Sequence, residues 1–198
     1  MIESDFVNKI ILTDCDGVLL NWEYAFDIWM EERGNKRILQ DEYDIALRYG
    51  IPKAEAKRHI KTFNESAAIG FLPPLRDAMY YVRKLHEEHG YVFRVITSLS
   101  VNPYAKKLRN RNLEKLFGSA IDDVICLGCG ADKDVALEPY RNSNMLWIED
   151  KEENAELGNA LGLDAILVEH EHNMQHDVVP LMKNWKEIYE YILMKEEL

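Results

Sequence analysis

Lys9-Ile10-Ile11-Leu12-Thr13-Asp14-Cys15-Asp16-Gly17-Val18 runs from a short apolar segment into two acids and a glycine. The segment up to Thr13 has the length and composition of a buried strand. Asp14 and Asp16 fall just past its carboxyl end, and Gly17 permits a sharp turn away from it. In open parallel sheets, ligands bind outside the carboxyl ends of the strands. Position alone therefore makes the acid pair a candidate site. Cys15, between the acids, points to the opposite side of the strand and reads as core.

Working outward, the apolar runs 91–96, 123–127, 145–148 and 165–168 read as further strands. Helical patterns separate them: 75–89 closed by Gly90, 103–117, 151–161 closed by Gly162, and a final helix over 178–195. This alternation predicts an α/β fold with a mainly parallel sheet flanked by helices. Residues 23–68 break the rhythm. Trp22, Phe26, Trp29 and Met30 recur at helical spacing there, and Pro52 opens a further helix. The expected organisation is an α/β core of residues 1–20 and 73–198, with a small helical cap over 21–72 inserted after the first strand.

Three more polar clusters follow predicted strands: Thr97/Ser98, Asp132/Lys133/Asp134 and Glu149/Asp150. Each alone is a common turn or cap. Together they have a chemistry. Magnesium takes oxygen ligands and uses one or two carboxylates plus phosphate and water. Asp14, Asp150 and the Asp16 carbonyl can supply such ligands. Asp14 can attack phosphorus to give an aspartyl-phosphate, and Asp16 can protonate the leaving oxygen and then activate water. Thr97 or Ser98 can hold phosphoryl oxygens, and Lys133 can offset their charge.

Composition sets limits. With 47% apolar and 30% charged residues, the chain has the profile of a soluble globular protein. Lys and Arg total 24 against 35 Asp and Glu, a formal charge of −11, which would repel a nucleic-acid polymer. A small anionic substrate is not excluded. No apolar run approaches the roughly 20 residues that span a bilayer, so no membrane partner is expected. The start, residues 1–5, is acidic and lacks the order of a signal peptide, so a cytoplasmic location is expected. Three cysteines do not suggest a disulfide framework.

Asp14-Cys15-Asp16-Gly17-Val18, Ile96-Thr97-Ser98, Lys133 and Ile148-Glu149-Asp150 resemble the four motifs of the haloacid dehalogenase-like hydrolase superfamily. Within it the chain is most similar to the 5′(3′)-deoxyribonucleotidases. Three stretches carry that likeness: Leu19-Leu20-Asn21-Trp22 after the first motif, Gly70-Phe71-Leu72-Pro73-Pro74-Leu75, and His172-Asn173 downstream of the fourth. The resemblance implies a Rossmann-like sheet of order 5-4-1-2-3. It also implies a phosphatase of nucleoside monophosphates, with Asp14 as nucleophile, Asp16 as general acid/base, and Mg2+ held by Asp14, Asp150 and the Asp16 carbonyl. Glu149 stands where the nucleotidases usually have Asp. Gly130-Ala131-Asp132-Lys133 lacks the basic residue that often precedes this lysine. Two alternatives stay open: a phosphatase of another small metabolite such as a sugar phosphate, and a non-enzymatic scaffold of the same fold. A phosphoacceptor signalling domain is excluded, because no acid closes the third strand.

Trp22 and Phe71 are candidate substrate contacts that would stack on a base, with packing in the cap as the alternative. Phe26 and Trp29 read as cap core. Cys126 and Cys129 could form half a zinc site with His170, His172 and His176. In the implied strand order, however, the third and fifth strands lie four spacings apart, about 19 Å. A solvated histidine-rich loop is expected instead. The C-terminal stripe Trp185, Ile188, Tyr189 and Ile192 either docks on the core or serves a homodimer.

Overall fold

The computed structural model describes residues 9–40 and 42–197. The acidic start, residues 1–5, lies outside them. Six parallel strands form one sheet in the order β3-β2-β1-β4-β5-β6. They are β1 (Ile10–Thr13), β2 (Val92–Ser98), β3 (Ile121–Leu127), β4 (Leu146–Glu149), β5 (Asp164–Val168) and β6 (Leu181–Met182). The expected order of five strands holds, and a short sixth strand extends the β5 edge.

Side chains that alternate along the strands serve both faces of the sheet. Ile11, Val95, Ile148, Ile166 and Val168 pack in one apolar cluster, with Trp185 among them. Leu12, Ile96, Trp147, Ala165 and Leu167 pack in the other. Helices α4 (Ala78–His89), α5 (Pro103–Phe117) and α8 (Trp185–Glu196) contribute buried residues to the first cluster. The short α6 (Asp134–Leu137) and α7 (Glu152–Ala160) contribute to the second. α7 comes close because Gly158 lies on Trp147: a Cβ there would sit 2.3 Å from the indole Cδ1.

The insertion holds α1 (Trp22–Glu31), α2 (Ile45–Tyr49) and α3 (Lys53–Asn64), followed by a 3-10 turn at Ala67–Phe71. Asn21 caps α1 by accepting the Tyr24 N–H, and Asp44 caps α2 through Ala46 and Leu47. Phe26 stacks on Trp22 at 4.5 Å and meets Phe63 edge-on at 5.3 Å. Phe26 and Trp29 are buried in this cluster, as expected of core residues.

Two stretches depart from the expected elements. The helix expected from residue 75 begins at Ala78, because Leu75–Asp77 form a turn in which Arg76 has φ +43°. The expected helix over 178–195 begins only at Trp185, because residues 181–182 pair with β5 as β6. Pro180, just before β6, cannot donate within a helix, and its carbonyl accepts the Leu167 N–H. Trp185, Ile188 and Ile192 are buried against the core, which decides for docking of the α8 stripe. Among the described residues, no helix is long and apolar enough to cross a membrane.

Candidate active site

β1 delivers Asp14 to the mouth of a cavity of about 820 Å³. Its N–H donates to the Ile148 carbonyl, so strand pairing with β4 continues one residue past β1. The chain then turns at Gly17, φ +77°. That turn is closed to larger residues, since a Cβ on Gly17 would lie 2.2 Å from Asp150 Oδ2. The acid after β4 is therefore packed directly on the loop after β1.

Lys133 reaches the same place from the loop after β3. It is 2% exposed, with Nζ 2.8 Å from Asp14 Oδ1 and 2.6 Å from Glu149 Oε1. Burial alone would lower its pKa, but the two carboxylates carry it above the usual lysine range. Burial pushes Asp14 up to about 7, with Lys133 opposing and Glu149 and Asp16 adding repulsion. Asp150 is raised well above an ordinary carboxyl by burial and by Glu149 and Asp14.

Glu149 is a hub. It is fully buried, and Oε1 accepts from Lys133 at 2.6 Å and from Asn154 Nδ2 at 2.7 Å. Oε2 accepts the backbone N–H groups of Asp150 at 2.6 Å and Lys151 at 2.8 Å. The contacts with Lys133 and these N–H groups hold its pKa down against burial. With four donors in place it orients Lys133 and shapes the turn that carries Asp150.

One carboxylate oxygen from each of Asp14, Glu149 and Asp150 lies within 4.8 Å of the others, a spacing that can hold a metal ion. Glu149 is already committed to four donors, which leaves Asp14 and Asp150 as the available ligands. Thr97, at the end of β2, lines the cavity with a buried hydroxyl that has no hydrogen-bond partner among the described residues. Such a group is costly unless a ligand satisfies it. Ser98 also lines the cavity, but its hydroxyl donates to the Ala131 carbonyl at 2.8 Å and ties the loop carrying Lys133 to β2.

Of the two aromatic candidates, Trp22 lines the cavity, its indole N–H bonded to Asn64 Oδ1 at 2.9 Å. Phe71 is not brought there. It is 74% exposed and lines a separate depression with Leu108 and Arg111. Its 3-10 turn faces α5 rather than the cavity.

Several site neighbours escaped sequence reading. Arg109 of α5 is fully buried and grips Asp16 through Nη1 at 2.5 Å and Nη2 at 3.0 Å. Its Nη1 also lies 2.7 Å from Cys15 Sγ, which packs in the core as expected. A signal for Arg109 was present: it lies four residues after Ala105 and four before Leu113, on the apolar stripe of the helix. The histidine-rich segment is not a solvated loop. His170 Nε2 meets the Gly17 carbonyl at 2.7 Å, and His172 stacks on His170 and meets the Tyr43 ring at a tilt of 51°. Burial lowers His170 to about 4; the ring is neutral and donates to that carbonyl. Asn173 donates to the Asp150 and Val168 carbonyls, both at 2.8 Å.

No protein-family model matches the chain. An uncharacterised 32.4 kDa protein of Enterobacteria phage T4 is 28% identical over 131 residues, 63% of this chain. The chain spans about half the length of that relative, 46% of it. Solved structures of similar fold cover nearly the whole chain. A haloacid dehalogenase-like hydrolase from Streptococcus pneumoniae superposes with a TM-score of 0.60 at 13% identity, covering 93% of this chain and 98% of its own. D,D-heptose 1,7-bisphosphate phosphatase from B. bronchiseptica, complexed with magnesium and phosphate, gives 0.60 at 11%, covering 94% and 99%. A hydrolase from Deinococcus radiodurans with bound phosphate and sodium gives 0.58 at 18%, covering 96% and 97%. The fold is thus that of the haloacid dehalogenase-like hydrolases, and the resemblance read from the four motifs holds at that level.

Proposed function

We propose that the chain is a magnesium-dependent phosphomonoester hydrolase acting through an aspartyl-phosphate on Asp14, with nucleoside monophosphates as substrates. One observation carries the reaction class: Asp14, Thr97, Lys133 and Asp150 come from four separate strand ends and all line one cavity.

The donor set fits a hard divalent cation. Counted fully ionised, the four carboxylates (Asp14, Asp16, Glu149 and Asp150) exceed the two buried cations, Lys133 and Arg109, by two charges, and without an ion to offset these the Asp14 and Asp150 carboxyls are raised. Asp14, Asp150 and the Asp16 carbonyl would hold Mg2+, all oxygen ligands as this ion prefers. Bound there, the ion would offset the charge between the nucleophile and the substrate's phosphoryl oxygens.

In this reading Asp14 attacks phosphorus and Asp16 protonates the leaving oxygen. Water then attacks phosphorus, and Asp16 takes its proton. The Thr97 hydroxyl and Lys133 hold phosphoryl oxygens; Ser98, whose one hydroxyl proton goes to the Ala131 carbonyl, secures the lysine loop and would donate to a phosphoryl oxygen only on releasing that carbonyl. Residues 21–72 act as the cap over the core of residues 1–20 and 73–198. Support for a nucleotide comes from the cavity's size, about 820 Å³, which suits a small ligand, and from the Trp22 ring on its wall.

The test is a panel of nucleoside monophosphates and sugar phosphates with and without magnesium. Release of phosphate from nucleotides, lost on chelation and in Asp14→Asn, is expected. Equal rates across the panel would remove the nucleotide assignment. Undiminished hydrolysis by Asp14→Asn would remove the nucleophile.

A further inference from the structure

A buried guanidinium is costly unless it is paired and hydrogen-bonded. Arg109 has no exposure, and its Nε has no partner among the described residues. Its polar contacts at the site are Asp16 and the Cys15 sulfur. A two-point fork sets the orientation of a carboxylate plane as well as its position, which a single ammonium does not. The consequence is visible in the arrangement of the acids. Asp14, Glu149 and Asp150 crowd together, and Asp16 is not part of that group. It lines the cavity with 23% of its side chain exposed, while Arg109 grips it from the protein side.

We propose that Arg109 is a positioning residue. Its fork holds the Asp16 carboxylate apart from the three other acids and directs the remaining lone pairs toward the reacting oxygens. A carboxylate offers about four lone-pair sites, of which the fork occupies two. The inference rests on the phosphohydrolase reading. In the first step the bond from Asp14 to phosphorus forms, the bond from phosphorus to the leaving oxygen breaks, and a proton passes from Asp16 to that oxygen. In the second, water's oxygen bonds to phosphorus, the Asp14–phosphorus bond breaks, and water's proton returns to Asp16. Both transfers need the same carboxylate in the same place.

The experiment compares wild type with Arg109→Lys and Arg109→Met on p-nitrophenyl phosphate and on an alkyl phosphate, by rapid mixing and at steady state. p-Nitrophenolate leaves without a proton, so only the second step suffers with that ester. Both variants should release one p-nitrophenolate per site in a burst, followed by turnover slowed about 100-fold, the scale of general acid–base assistance. On the alkyl phosphate kcat should fall at least as far with no burst, while KM stays within about threefold. The lysine keeps the buried charge, so its melting temperature reports folding and its kinetics report the lost fork. Loss of both phases together in folded protein, or wild-type kinetics in Arg109→Lys, overturns the positioning role. A wild type inactive on both esters instead overturns the phosphohydrolase reading, and the positioning role with it.

Discussion

Replacing Glu149 by Gln changes one oxygen to an NH2 group and removes one charge at a fully buried hub. In the native structure Oε1 faces the Lys133 and Asn154 donors, and Oε2 faces the N–H groups of Asp150 and Lys151. Whichever way the amide turns, its NH2 meets two donors. Two of the four hydrogen bonds are lost, and Lys133 keeps only Asp14 as a charged partner. Breaking a buried ion pair from one side costs about 3–5 kcal/mol. The surviving pair of bonds and the contact with Asp14 put the loss near the lower end, about 3 kcal/mol. Urea unfolding at neutral pH without magnesium measures this directly. With a slope of about 2 kcal/mol per molar, the midpoint should fall by about 1.5 M. Asp150→Asn is the control: it relieves crowding at a raised carboxyl, so the apo midpoint should hold or rise while magnesium no longer stabilises the fold. A shift below about 0.3 M in Glu149→Gln would refute the hub, and Glu149 would then be an ordinary metal ligand.

Three further outcomes are expected. Thr97→Val removes a buried hydroxyl that bonds nothing among the described residues; stability should stay level or rise, and phosphate affinity should weaken about tenfold, near the worth of one hydrogen bond, by competition kinetics. Gly17→Ala forces a left-handed residue against Asp150; it should cost at least about 1–2 kcal/mol in unfolding experiments and weaken magnesium binding, measured by calorimetry. The pH dependence of His170 has a definite sign: its pKa near 4 in the fold lies below the ordinary histidine value of 6.5, so the unfolded chain takes up the proton first as pH falls. Stability tied to His170 is intact above 6.5 and declines toward 4. Wild type should therefore lose about 2 kcal/mol relative to His170→Asn between about pH 7.5 and 5, read from paired denaturation curves.

Much of this protein is written locally in the chain. The run Ile10–Thr13 reads as a buried strand and forms one, and apolar runs of strand length with helical spacing between them indicate the parallel sheet that forms. The acids, the hydroxyls and Lys133 were legible because each stands at or just past the end of a strand, and strand ends converge by topology. Tertiary structure alone makes partners of groups far apart in sequence. Arg109 and Asp16 are 93 residues apart, and His170 reaches Gly17 across 153. Neither pairing has a local signature: the helical stripe marks Arg109 as buried without naming its partner, and a histidine in a loop looks solvated until a neighbour covers it. Glu149 has no task legible in the sequence beside Asp150, and only the four donors converging on it give it one. Phe71 and Trp22 are both aromatics of the insertion, but which one meets the cavity depends on how the Ala67–Phe71 turn packs on α5. The chain's own pattern determined where chemistry gathers. Burial, which assigns each charge its partner, decided what each group there can do.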